Sequence, residues 1–142
     1  MSRLEQVLDK HSRQRPEVLA SLALAHGALG EKAKGLDLVM PGIKKDPQPQ
    51  LLATLPVLTD HESAASTQRQ LLKWHHGRDR DPALLACLGG LSQVQGDLRE
   101  ARRYLEAALQ LKDEGAWRQR LAEVLTKQGD FQGAVEQYRR LV

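Results

Sequence analysis

The chain has 142 residues, and its 21 Lys and Arg against 18 Asp and Glu give a formal net charge of +3. A hydrophobic fraction of 41% beside 27% charged residues is enough to build a core, which excludes a disordered tail. The apolar runs are too short to predict a membrane span, and the small charge does not favour nucleic acid.

The amino-acid usage favours helices over strands. Leucine is the commonest residue, isoleucine appears once and asparagine is missing. Leu, Ala, Glu, Gln, Arg and Lys lose little rotamer freedom in a helix, and no convincing period-two run indicates a strand. The sequence therefore predicts an all-α fold.

A Gly-Asp pair marks the clearest turn between two predicted helices. Gly96 can adopt the left-handed conformation that ends a helix, and Asp97 can cap the next one. Glu100 stands three places after Asp97 and is predicted to complete a capping box. The pair returns as Gly129 and Asp130, at a spacing of 129 − 96 = 33. Repetition of this kind indicates stacked helical hairpins.

The same period extends towards the beginning of the chain, because Gly30 precedes Gly96 by 96 − 30 = 66, twice that spacing. The middle unit is degenerate, since no glycine marks its turn. In the unit before it, unit 1, Pro41 is expected to kink the second helix or end it early. The predicted organisation is a single array: residues 1–12 as the second helix of a truncated unit, 15–45 as unit 1, 47–76 as degenerate unit 2, 81–112 as unit 3 and 115–142 as unit 4.

A helical repeat of this length, close to the period of about 34 residues that is typical of the family, resembles the tetratricopeptide repeat (TPR) family. The residues that carry the resemblance in its best unit are Leu85, Leu88, Gly89, Gly96, Asp97, Ala101, Leu105 and Ala108. Unit 1 departs from the pattern, with Gly35 where the family has alanine. The resemblance implies a right-handed α-solenoid of about seven or eight helices.

A closer resemblance is to the C-terminal TPR region of bacterial HemY-type proteins. It is carried by the order of seven segments along the chain. They are Lys44-Lys45-Asp46, an apolar helix at Leu51–Leu58, Gln68–Trp74 with the histidines and glycine that follow it, Asp81-Pro82-Ala83-Leu84-Leu85, Arg99–Ala107, Ala122-Glu123-Val124-Leu125 and Tyr138-Arg139-Arg140. This resemblance implies a role beside haem biosynthesis at the bacterial inner membrane. In that family two transmembrane helices precede the repeats, so membrane attachment would come from a region outside this chain, and the fragment itself is expected to be soluble.

The repeat pattern also assigns core and surface positions. The predicted core consists of Leu22, Leu88, Ala101, Leu105, Ala108, Leu121, Ala134 and Tyr138. First helices line the concave face of a TPR array, and the predicted partner-binding groove contains Leu24, Gln93, Gln119, Glu123 and Lys127, with Ala86 and Gly90 beside them. The carboxylate clamp of many TPR proteins uses Asn, which this chain lacks.

No sequence motif indicates an enzyme. The chain has no G-x-x-x-x-G-K-[ST], no G-x-S-x-G and no H-E-x-x-H motif, so neither catalysis, a cofactor nor a metal is predicted. The one cysteine, Cys87, has apolar neighbours, which favours a packed side chain over a nucleophile.

Two adjacent histidines leave a second interpretation open. His75 and His76 point about 100° apart on a helix, which makes them poor ligands for one metal ion. The HemY-type resemblance nevertheless raises direct binding of haem or porphyrin through one of them.

The sequence thus leaves three hypotheses: a non-catalytic scaffold for protein partners, among them haem-biosynthesis enzymes; a haem-binding module; and a TPR adaptor of an unrelated pathway. Apolar residues near both ends, Leu4, Leu8, Tyr138 and Leu141, additionally predict some self-association.

Overall fold

The computed structural model describes residues 15–142, and every regular element within that range is a helix. The predicted helix at residues 1–12 lies outside the described residues. The helices are α1 (Pro16–Ala28), α2 (Lys32–Lys45), α3 (Pro49–Leu52), α4 (Leu55–Leu58), α5 (His61–Trp74), α6 (Pro82–Val94), α7 (Leu98–Leu111), α8 (Gly115–Lys127) and α9 (Phe131–Arg139).

The chain forms two compact units, with the boundary between Leu58 and Thr59. This boundary runs through the predicted degenerate unit at 47–76, whose first half is broken into the short helices α3 and α4. The assignment of residues to four repeat units stays a prediction.

In the first unit, α1 and α2 pack against each other, and α3 and α4 contact both. Close approach depends on Gly35, because a Cβ there would lie 2.7 Å from the carbonyl oxygen of Ala23 and 2.7 Å from Leu58 Cδ2. This contact gives a physical reason for glycine at a position where the TPR pattern has alanine.

The sequence predicts that Pro41 kinks its helix or ends it early, and the second alternative is wrong, because α2 continues to Lys45. Pro41 is exposed, whereas Val39 and Ile43 on either side of it are completely buried. Burial of two β-branched side chains offsets the backbone hydrogen bond that proline cannot make.

In the second unit, α6 pairs with α7, α8 pairs with α9, and α7 also packs against α8. One buried cluster joins the last three of these helices. It consists of Ala101, Leu105, Leu121, Val124, Leu125 and Ala134, with Leu98, Leu109 and Trp117 packed against it.

The turns at Gly30, Gly96 and Gly129 share one geometry. Their φ angles are 82°, 79° and 82°, the left-handed conformation that the sequence predicts there. At each turn the residue after the glycine donates its backbone N–H to a carbonyl five places earlier, as Asp97 does to Ser92 at 2.9 Å. This bond is the signature of a Schellman-type helix end.

Only half of the capping box predicted at Asp97 forms. Its carboxylate accepts the backbone N–H of Glu100 at 3.2 Å, but the Glu100 carboxylate binds Arg103 at 2.7 Å instead of turning back to Asp97. A complete capping box forms instead between Asp60 and Ser63 at the beginning of α5.

Seven of the eight predicted core residues are buried: Leu22, Leu88, Ala101, Leu105, Ala108, Leu121 and Ala134. The eighth prediction is wrong, because Tyr138 is 42% exposed. Its position in α9 matches that of Leu105 in α7, but in the described residues no following helix covers it as α8 covers Leu105.

None of the helices between residues 15 and 142 combines the length and the apolar character that crossing a membrane requires.

We expect the substitution Gly35→Ala to lower the free energy of unfolding by about 1–3 kcal/mol, because the added methyl group meets the backbone of α1. Alanine is the better helix former, so the loss would arise from overpacking alone. Urea unfolding followed by circular dichroism measures the effect.

Gly115→Ala is the matched control, because a Cβ there would lie an ordinary 3.5 Å from its nearest neighbour, Leu141 Cδ2. Its stability should stay the same or rise slightly. Equal stabilisation by both alanines would contradict the close approach at Gly35.

Candidate partner-binding face

One side of α8 presents an exposed polar stripe. Gln119, Glu123 and Lys127 follow one another at intervals of four, so their side chains lie on the same side of the helix, and all three are exposed. Leu121 and Leu125 are both only 3% exposed, and they pack the opposite side of α8 into the core. The four-residue spacing of these three residues therefore explains why all of them are exposed.

Gln93 is connected to this stripe through Arg120. The Arg120 guanidinium donates to the Gln93 side-chain oxygen at 3.3 Å, which links α8 to α6. Both residues are half-buried. We call the set of Gln93, Gln119, Arg120, Glu123 and Lys127 the α6–α8 face.

Other predicted groove positions are placed differently. Ala86 is 6% exposed and Gly90 is buried, so neither offers a side chain to a partner, and their assignment to the groove is wrong. Leu24 is 39% exposed on α1 and belongs to the first compact unit.

A polar contact that the sequence analysis missed positions α6. Gln68 of α5 donates to the Leu88 carbonyl oxygen at 3.0 Å and to Ser92 Oγ at 2.9 Å. Gln95 in turn donates to the Gln68 side-chain oxygen at 2.9 Å. The sequence held one signal for this contact. Ser92 is polar, whereas the equivalent position one repeat later is occupied by a buried leucine, Leu125.

Arg118 makes a second polar contact that the sequence analysis missed. The residue is only 7% exposed, and its guanidinium donates to Asp113 at 2.7 Å and to Gln137 of α9 at 2.8 Å. An arginine that is always charged needs such partners when buried. It therefore ties α8 to α9 and to the loop before α8.

Cys87 lies inside the second unit and not on its surface. Burial raises the pKa of its thiol to about 12, and the positive charge of Arg120 only partly counteracts that rise. A thiol with such a pKa remains protonated at neutral pH and is a poor nucleophile.

The two histidines of the haem hypothesis differ in exposure. His75 is 7% exposed, and its backbone N–H donates to Leu71 at the end of α5, whereas His76 is exposed. Within residues 15–142, no three His, Cys, Asp or Glu side chains come together as a metal site would need.

The α6–α8 face has mixed charge: Glu123 is acidic, Lys127 and Arg120 are basic, and the two glutamines can donate and accept. This set provides hydrogen bonds and ion pairs for a polar ligand.

Comparison with known proteins shows the fold. No protein-family model matches the chain, and none of the curated proteins does. Among solved structures, the TPR protein TTC0263 from Thermus thermophilus has a TM-score of 0.67 at 24% identity, over 92% of this chain and 74% of that one. MamA 41-end from Desulfovibrio magneticus RS-1 has a TM-score of 0.56 at 16% identity, over 92% and 76%. The chain therefore has an all-helical, TPR-like fold.

We expect the Cys87 thiol of the native chain to resist iodoacetamide at about pH 8. A pKa near 12 in place of 9.0 lowers the thiolate fraction about 1000-fold, and burial blocks the reagent as well. Mass spectrometry of the alkylated protein, with and without urea, measures the reaction.

Leu29→Cys in a Cys87→Ala background provides the exposed reference, since Leu29 is 76% exposed. Native labelling of Cys87 as fast as labelling of this reference cysteine would show that Cys87 is accessible.

Proposed function

We propose that the chain is a non-catalytic scaffold that binds partner proteins through the α6–α8 face. The observation that carries the proposal is the exposed stripe of Gln119, Glu123 and Lys127 on a helix whose opposite side is fixed in the core. The TPR-like fold supports it, because TPR-type hairpins present extended binding surfaces.

The chemistry of the face indicates the kind of ligand. Side-chain amides of Gln93 and Gln119 can bond to the main chain of an extended peptide, and Glu123 and Lys127 can pair with charged side chains. Gln93 is already held by Arg120, so its carbonyl direction is fixed before a ligand arrives. A polar peptide segment of a partner protein fits this surface.

The HemY-type resemblance adds a finer proposal. It makes enzymes of bacterial haem biosynthesis the partners and the inner membrane the location of the full-length protein. This proposal rests on the order of matching segments in the sequence. A TPR adaptor of an unrelated pathway would use the same face with other partners.

Direct haem binding is the competing function. His76 is the exposed one of the two candidate ligands, whereas binding through His75 would require a buried side chain to reach the iron. The exposed polar stripe of α8 favours a protein ligand instead.

A site-specific photocrosslinker tests the scaffold. We expect p-benzoylphenylalanine at Gln119 or Glu123 to form covalent adducts with partner proteins in an extract of the native cell. Both side chains are exposed, so the replacement should change stability by no more than about 0.5 kcal/mol. Gel shifts and mass spectrometry identify the adducts.

The same crosslinker at Arg99, an exposed residue of α7, is the control. Adducts that are identical at Gln119 and at Arg99 would show that capture is non-specific. Adducts from Gln119 that persist when Glu123→Ala and Lys127→Ala are added would show that this face does not determine binding.

Haem titration separates the competing function. The scaffold proposal predicts no change of the Soret band on addition of the chain. A stoichiometric shift that His76→Ala abolishes would establish the haem-binding alternative.

A further inference from the structure

Glu123 of the α6–α8 face is an exposed glutamate whose charge is not paired within the described part of the chain. Arg120 precedes it by three places and Lys127 follows it by four, the two spacings at which ion pairs form on a helix. Among residues 15–142, however, none of the ion pairs includes Glu123. Arg120 donates to Gln93 instead, at 3.3 Å. The negative charge of Glu123 is therefore available to a ligand.

Elsewhere in the chain, the same spacing goes together with ion pairs. Each of the other described glutamates that has Lys or Arg three or four places away is in an ion pair: Glu17, Glu31, Glu100, Glu106, Glu114 and Glu136. A cationic ligand would first have to displace the partner of any of these carboxylates. At Glu123 it has no such partner to displace.

Glu123 also lies between two positive charges on one side of α8. Arg120, Glu123 and Lys127 are three and then four places apart, which puts them on the same side of the helix. We call these three residues the α8 charge row, and its signs alternate from positive to negative to positive. Arg120 gives one of its five N–H groups to Gln93, so donors remain for a carboxylate of a ligand.

The spacing of the α8 charge row suits an extended peptide. A helix rises about 1.5 Å per residue, so the members of the row are about 4.5 Å and 6 Å apart along the axis. In an extended peptide, alternate side chains point to the same side and are about 6.8 Å apart. The flexible stem of lysine and the length of arginine absorb the remaining difference. Three alternate side chains of the peptide can therefore each lie opposite one member of the row.

The alternation of charge restricts which peptides fit. A uniformly acidic segment would put a carboxylate opposite Glu123, and a uniformly basic one would put cations opposite Arg120 and Lys127. Like charges that face each other across an interface disfavour the wrong partner. The complementary segment has an acidic, a basic and an acidic side chain at alternate positions.

We propose that the α8 charge row selects partner segments with the pattern acidic-x-basic-x-acidic, in which Glu123 binds the basic side chain. This inference rests on the proposed function, because it specifies the ligand of the same α6–α8 face. The recognised groups are side chains within the segment, so a free carboxyl terminus is not required.

A displayed library of random peptides, selected on the complete chain, tests the pattern. Enriched peptides should carry the alternating charges, and they should crosslink to p-benzoylphenylalanine at Gln119. One enriched peptide is then synthesised with both ends blocked and a fluorescent label. In anisotropy titrations, Glu123→Lys should weaken its binding about fivefold or more, because an exposed attraction becomes a repulsion.

A reciprocal change in the peptide distinguishes a direct contact from a structural effect. The peptide whose central basic residue is replaced by Glu should bind the wild type weakly and the Glu123→Lys variant more tightly. Only groups that interact with each other give such mutual rescue. Glu123→Gln, which removes the charge without reversing it, should weaken the original peptide about twofold.

Glu62→Lys is the matched control variant, because it makes the same change of charge at an exposed glutamate of α5 in the same compact unit. It should bind the peptide like the wild type. Since Glu123 is exposed, circular dichroism should show an unchanged melting curve for Glu123→Lys.

Two results would overturn the charge pattern. The first is enriched peptides that crosslink at Gln119 but lack the alternation or bind Glu123→Lys as well as the wild type. The scaffold proposal would survive that result, because the face would still bind peptides. The second is a selection without any peptide that crosslinks at Gln119. The crosslinking of partner proteins in the cell extract then decides separately whether the scaffold proposal also fails.

Discussion

The close approach of α6 and α7 at Gly89 is the constraint on which the second unit depends. A Cβ at this position would lie 2.9 Å from Leu105 Cγ, so only glycine permits the observed spacing of the two helices without a shift. Leu105 also belongs to the buried cluster with Leu121 and Leu125. The distance between α6 and α7 at Gly89 therefore also determines where α8 packs. The position of the exposed stripe of α8 depends on that packing.

Apolar packing brings the helices of the second unit together, and hydrogen bonds between polar side chains fix their positions further. Gln68 fixes α6 by bonds that reach across the sequence to another helix, and Arg118 joins α8 to α9 from a buried site. These bonds satisfy polar groups that would be costly to bury alone. They leave the side chains of Gln119, Glu123 and Lys127 in the α6–α8 face exposed on a helix that is fixed from its other side.

Periodicity accounts for the exposure of part of the candidate face, whereas binding of a partner there stays a proposal. The exposure of Gln119, Glu123 and Lys127 follows from their regular spacing opposite the leucines of α8. The burial of Ala86 could not be read in the same way, because a small apolar residue suits both a groove wall and a helix contact. The bond from Arg120 to Gln93 joins two helices that are not consecutive in the chain, and no local pattern encodes it.

The sequence by itself determined that the chain is helical and that its helices turn at Gly30, Gly96 and Gly129. Helix propensity and left-handed φ angles depend on the local residues. Only the tertiary structure decided that α2 continues through Pro41 and that Tyr138 is exposed where Leu105 is buried. Both outcomes depend on which distant helix covers a side chain, and that is settled by packing between segments rather than by the residues next to it.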